Sequence, residues 1–145
     1  MNYREVLVTG GTGYVGTHVC RALIARGFLP RLLVRPESES RIPEDIRKGG
    51  RITLGDVTNR ESVENAAQGT TAVVHLVGII REFPTRGITF ERLHVTATRN
   101  AVDAARLWGI PRFIHMSALG AQAGGPTGYF DSKGRAEDHV RRSGL

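Results

Sequence analysis

The chain has 145 residues, 40% of them hydrophobic and 23% charged, with a formal net charge of +6. That length fits one domain around a single core, so residues 1–145 are expected to form one unit. No apolar run reaches the roughly 18 residues of a membrane span. Glu5 and the glycines after it interrupt any signal-peptide pattern, and Cys20, the single cysteine, has no internal partner for a disulfide. A cytoplasmic protein is the expectation.

The positive charge is nearly all arginine, because Lys48 and Lys133 are the only lysines. It is spread along the chain, without a run of about five like charges and without interleaved aromatics, which favours a solvated surface or an anionic small molecule over nucleic acid.

In chain order, "EVLVT" (5–9) is a continuous apolar run that predicts a strand buried on both faces, the pattern of a parallel sheet. Residues 14–26 follow as a helix, with Val15, Val19 and Leu23 at four-residue spacing and a stop at Gly27 and Pro30. "RLLV" (31–34) is the second strand, 36–50 a charged loop with a helical turn, and "RITL" (51–54) a weaker third strand. A short helix over 60–67 precedes the fourth strand, "AVVHLV" (72–77). The longest helix runs over 90–108 with Phe90, Leu93, Ala97, Ala101, Ala104 and Trp108 on one stripe, ended by Gly109 and Pro111. "RFIHM" (112–116) is the fifth strand and 129–142 a last helix. The alternation specifies an α/β fold with right-handed crossovers. Ser143-Gly144-Leu145 reads as the approach to a further strand, so the sheet is expected to be truncated before its sixth.

Gly11, Gly13 and Gly16 satisfy the spacing GxGxxG between the first strand and the first helix. In that place the glycines, beginning at Gly10, make a tight turn, and the amides of Thr12, Gly13, Tyr14 and Val15 at the helix mouth form a cradle for a diphosphate. Gly16 lets helix and strand pack closely. About twenty residues on, the second strand ends at Arg35. A carboxylate there would read ribose hydroxyls; a guanidinium favours a 2′-phosphate, so NADP is expected rather than NAD. The alternative is an exposed loop charge accompanied by Glu37 and Glu39. Asp56, with Val57, follows the third strand and is either an acceptor for the adenine amino group or a turn initiator. Leu76, Val77 and Gly78 end the fourth strand at the crevice expected where strand order reverses.

Together "TGGTGYVG" (9–16), "GDV" (55–57), "HLVG" (75–78) and "YFDSK" (129–133) resemble the short-chain dehydrogenase/reductase superfamily in its extended or atypical branch. Residues 90–121 are similar to the branch containing the Rossmann-fold accessory subunit of respiratory complex I and its bacterial relatives. The resemblance implies a three-layer Rossmann fold with a doubly wound parallel sheet of strand order 3-2-1-4-5. It also implies NAD(P) as cofactor and either an oxidoreductase or epimerase-like enzyme or a cofactor-binding protein without turnover. A small-molecule substrate, a homo-oligomer, or association with a respiratory complex follows from the same likeness.

Tyr129 and Lys133 lie one helical turn apart. The resemblance assigns Tyr129 as general acid–base and Lys133 as its ammonium neighbour and ribose ligand, with Ser117 the nearest candidate to hold a substrate carbonyl. The chain departs from the branch at "HVTAT" (94–98), where His94 replaces the usual asparagine; it is either a proton carrier or a packing residue. His18, His75, His115 and His139 show no ligand spacing, so no metal is expected.

Overall fold

The computed structural model describes residues 4–145. Its sheet has five parallel strands in the order β3-β2-β1-β4-β5. These are β1 Glu5–Thr9, β2 Leu29–Val34, β3 Arg51–Leu54, β4 Ala72–His75 and β5 Phe113–His115. The helices between them are α1 Tyr14–Ala25, α2 Glu44–Gly49, α3 Arg60–Ala67 and α4 Ala97–Leu107, with α5 Gly128–Arg142 closing the chain.

Strand alternation sorts the core into two layers of contact. Val6 and Val8 of β1, Leu32 and Val34 of β2 and Val74 of β4 pack with Cys20 of α1 and Ile46 of α2. Their neighbours Leu7, Leu33 and Val73 point the other way, against Val63 and Ala66 of α3 and Ala101, Ala104 and Ala105 of α4. Successive side chains on a strand face opposite sides, so apolar runs with no polar alternation are what a sheet covered on both faces requires. The alanines of α4 bring its backbone close to the sheet and to α3, where Trp108 Nε1 donates to the Glu64 carbonyl at 2.8 Å.

Three segments depart from the sequence-based expectation. β4 stops at His75, not Val77: Leu76 N still donates to Thr9 O at 3.1 Å, but β1 has ended and the chain turns at Gly10 (φ +73°), leaving Val77 and Gly78 without a partner strand. Residues 36–50 contain two short helices, a 3₁₀ turn over Pro36–Arg41 and then α2. The helix expected over 90–108 opens as a π turn over Glu91–Thr96 before α4 begins. The wider turn shifts the buried stripe, so that His94 and Val95 are interior where Leu93 was expected.

β5 lies at the edge of the sheet with Ile114 half exposed, and the described residues end after α5 without a further strand. Among the described residues no helix is long and apolar enough to cross a membrane.

Candidate functional site

All five strands point their carboxyl ends to one edge, where a cavity of about 350 Å³ opens between the β1–α1 turn and the ends of β2, β3 and β4. Gly10, Thr12 and Gly13 form its floor. Gly10 adopts the left-handed conformation natural to glycine. A Cβ on Gly16 would lie 2.1 Å from the Gly10 carbonyl oxygen, so only glycine lets α1 start this close to the turn. Gly13 is the N-cap of α1; it offers no capping side chain, and the first turn contains no acidic residue. The opening amides of α1 therefore remain available to an anion. Tyr14, Val15 and Gly16 supply such amides without lining the cavity; the Tyr14 ring is 84% exposed and packs on His18.

The walls carry the charge. Arg35, Ser38 and Arg41 stand at the β2 end, Asp56 and Val57 at the β3 end, and Leu76, Val77 and Gly78 at the β4 end. Glu37 meets Arg35 only at 3.4 Å between exposed side chains, and Glu39 turns to Arg47; neither lines the cavity. Asp56 Oδ1 accepts from the Thr58 amide and hydroxyl at 2.8 and 2.7 Å, which leaves its other oxygen uncommitted within the carboxylate. Both expected roles of Asp56, turn former and outward acceptor, are thus geometrically compatible. Ser38, Arg41, Arg86 and Arg92 also line the cavity and were not singled out in the sequence. Pro36 followed by polar residues was the available signal for the 3₁₀ turn that presents Ser38 and Arg41; Arg86 and Arg92 carry no local signal.

A second group lies beyond Gly78. Lys133 is 4% exposed, and its Nζ donates to the Met116 carbonyl at 2.6 Å. Burial lowers its pKa from the ordinary lysine value, opposed by the charge of Glu137. A methyl group on Gly78 would lie 3.7 Å from that Nζ and 3.6 Å from His94 Nε2, so Gly78 is where the cavity wall meets the buried cluster. Tyr129, one turn before Lys133, is held edge-on by His94 (5.6 Å), Phe90 (6.0 Å) and Phe130 (5.4 Å between ring centroids).

His94 has both ring nitrogens engaged. Ser132 Oγ donates to the Tyr129 carbonyl at 3.1 Å and so accepts from His94 Nδ1 at 2.8 Å; Nε2 then accepts the Ile79 amide at 3.0 Å. Desolvation, then the charge of Lys133, lowers its pKa to about 4. His75 is clamped between Thr9 Oγ1 (2.7 Å) and Thr98 Oγ1 (3.1 Å), with its pKa pushed to about 3, chiefly by burial. His115 stacks on it at 5.7 Å and is likewise lowered to about 4. The Ser117 hydroxyl is buried and completes no hydrogen bond of full geometry, although Glu137 is near enough for that hydroxyl to lower its carboxyl pKa. Among the described residues no three His, Cys, Asp or Glu side chains gather as a metal would require.

The cradle of free amides, the glycine contacts and the arginine-lined cavity fit a dinucleotide. Comparison with known proteins agrees: a family model described as NAD(P)H-binding matches residues 10–145. The chain is 34% identical over 136 residues to a ceramide reductase of Caulobacter vibrioides, covering 94% of this chain and 41% of that protein. It is 28% identical to the mitochondrial NADH-ubiquinone oxidoreductase 40 kDa subunit of Neurospora crassa, covering 92% and 36%. The crystal structure of gox2253 superimposes with a TM-score of 0.80 at 31% identity over 96% of this chain and 47% of that one. The chain therefore spans less than half the length of these relatives. On the family match and the sheet order together, the chain belongs to the NAD(P)H-binding family and has the Rossmann fold of the short-chain dehydrogenase/reductase superfamily.

Proposed function

We propose that this chain is the cofactor-binding part of an NADP-linked oxidoreductase or epimerase-like enzyme that acts on a small-molecule carbonyl or alcohol. NADP(H), when bound, supplies or accepts the hydride. The α1 amides hold its diphosphate over Gly13, whose own amide donates to the Gly10 carbonyl at 3.2 Å; Arg35 with Ser38 and Arg41 holds its 2′-phosphate, and Asp56 with Val57 its adenine. Leu76, Val77 and Gly78 border the path toward Lys133. Tyr129 Oη gives or takes the proton at the substrate oxygen, and Lys133 holds a ribose hydroxyl while bringing positive charge to the same helix face. Ser117, a buried hydroxyl without a full hydrogen bond, is suited to meet a carbonyl oxygen that reaches it, since an unpaired buried polar group is costly.

The observation that carries the reading is the placement of a buried lysine, four residues after Tyr129, directly behind the Gly78 end of an arginine-lined cavity. Fluorescence titration with NADPH and NADH tests it first: tighter binding of NADPH is expected, and a preference for NADH would remove the assignment of the Arg35 wall. Tyr129→Phe is expected to lower turnover by about 10²- to 10⁴-fold while leaving cofactor affinity nearly unchanged.

One observation favours a second reading, in which bound NADPH serves structure or redox sensing without turnover. His94 replaces the branch's usual asparagine and has both nitrogens occupied, so it behaves as a clamp and not as a mobile proton carrier. In that case Tyr129→Phe changes neither affinity nor any turnover. A cytoplasmic setting, and self-association or attachment to a respiratory assembly, accompany these readings as proposals.

A further inference from the structure

The strap between β4 and α4 lines the cavity through Ile79, Arg86, Gly87 and Ile88 and is tied to the β3 end by one side chain. Phe83 and Ile88 pair as an antiparallel bridge, with Phe83 N donating to Ile88 O at 2.7 Å, and Glu82 Oε1 accepts the Phe90 amide at 2.8 Å. Arg92, in the π turn that follows, reaches back. Its Nη1 donates to the Gly87 carbonyl at 3.0 Å and its Nη2 to Thr58 Oγ1 at 3.3 Å. A side chain on Gly87 would collide with this guanidinium, since its Cβ would lie 2.4 Å from Nη1. Thr58 is the residue that holds Asp56, and Asn100 Nδ2 binds the Val57 carbonyl at 3.0 Å. The turn at the end of β3 is therefore braced twice from the π turn and α4.

Two of the five guanidinium N–H groups are used in this way, and Arg92 lines the same cavity as Arg35. Its position is more than structural bracing requires. A lysine ammonium could donate to the same acceptors, whereas a planar cation held by two of its N–H groups near the β3 end also presents a flat face to whatever occupies the cavity. Fixing it beforehand also removes the rotamer entropy that an arginine ordinarily loses on contact.

Resting on the dinucleotide reading above, we infer that Arg92 is a cofactor-binding residue: its guanidinium, latched to Gly87 and Thr58, packs on the adenine ring and closes the adenosine end of the cavity beneath the strap. Arginine stacks on aromatic faces through its delocalised cation, so the contact favours an adenine-bearing fragment over an anion that has no ring.

The test is calorimetric titration of the 145-residue chain with ADP-ribose, which lacks the nicotinamide and the 2′-phosphate. Arg92→Met is expected to weaken ADP-ribose about 3- to 30-fold, and Arg92→Lys to fall between it and the unsubstituted chain. Arg106→Met, which removes the same charge from an exposed position outside the cavity, is expected to leave the affinity unchanged. Circular dichroism melting of each variant checks that folding is retained. If Arg92→Met binds as tightly as the unsubstituted chain, or Arg106→Met loses as much, the inference is overturned and the dinucleotide reading stands. If the unsubstituted chain binds NADPH but not ADP-ribose, the inference alone is overturned; if it binds neither, both fall together.

Discussion

At the β2–β3 end of the carboxyl edge the charged groups stand in water: Arg35 is half exposed, its bond to Glu37 is long, and Arg41 and Arg92 are exposed too. At the β4–β5 end Lys133 is almost wholly enclosed, and His75, His94 and His115 surround it with depressed pKa values. Both ends carry cationic side chains, but their environments give them different work. An exposed guanidinium keeps its charge at any ordinary pH and can meet a phosphate with little reorganisation. A buried lysine among neutral imidazoles is held in a site where protonation states are set by desolvation, which suits proton handling. Under the proposed function, recognition falls to one end and chemistry to the other, with Gly78 between them.

The floor common to both ends is the sharpest place to break this division. Gly16→Ala puts a Cβ at 2.1 Å from the Gly10 carbonyl oxygen, a backbone atom that cannot move without opening the β1–α1 turn. A loss on the order of 3 kcal/mol in urea unfolding is expected, together with loss of nucleotide affinity. An alanine variant with normal stability and affinity would mean that the turn is more plastic than its contacts imply.

That turn was also the most legible part of the sequence. GxGxxG after a strand has few alternatives, and the apolar runs of β1, β2 and β4 could face only a sheet covered on both sides, so the layers followed, while the strand order came from the family resemblance. The rest depended on contacts distant in sequence. The end of β4 is set by where β1 stops, not by the apolarity of Leu76 and Val77. The π turn shifts the buried stripe by inserting width that a 3.6-residue period does not encode. Arg92 was invisible because its partners Thr58 and Gly87 are brought to it by the fold. Spacing put Tyr129 and Lys133 one helical turn apart and the resemblance carried by "YFDSK" singled them out, yet the enclosure of Lys133 needed the Met116 carbonyl and the packing around His94.

Acid should separate the two ends next. His75 has a folded pKa of about 3, below the ordinary histidine value of about 6.5, so the unfolded chain binds the extra proton first. Its contribution is full above about pH 6.5 and declines as pH falls toward 3, with a slope of about 1.4 kcal/mol per pH unit. Roughly 2 kcal/mol is expected to be lost by pH 5 from this residue alone. His94 and His115 act in the same direction down to about pH 4. Urea midpoints measured between pH 7 and 5 should fall, and His75→Gln should flatten the dependence; a flat profile in the unsubstituted chain would contradict the buried neutral cluster.

The smallest expected effect belongs to the exposed end. Arg35→Met removes one guanidinium from a wall where Arg41 and Ser38 remain, so NADPH affinity is expected to fall only about tenfold, the scale of one charge-assisted hydrogen bond in a partly solvated site. NADH affinity should stay nearly constant, because it has no 2′-phosphate for Arg35 to meet, and stability should change little for a side chain that is half exposed. Paired fluorescence titrations with the two cofactors read this directly. Equal losses for both would place Arg35 in general attraction of anions and leave the 2′-phosphate to Arg41 and Ser38, whereas a change confined to NADPH keeps recognition at the β2 end, as the division of the cleft requires.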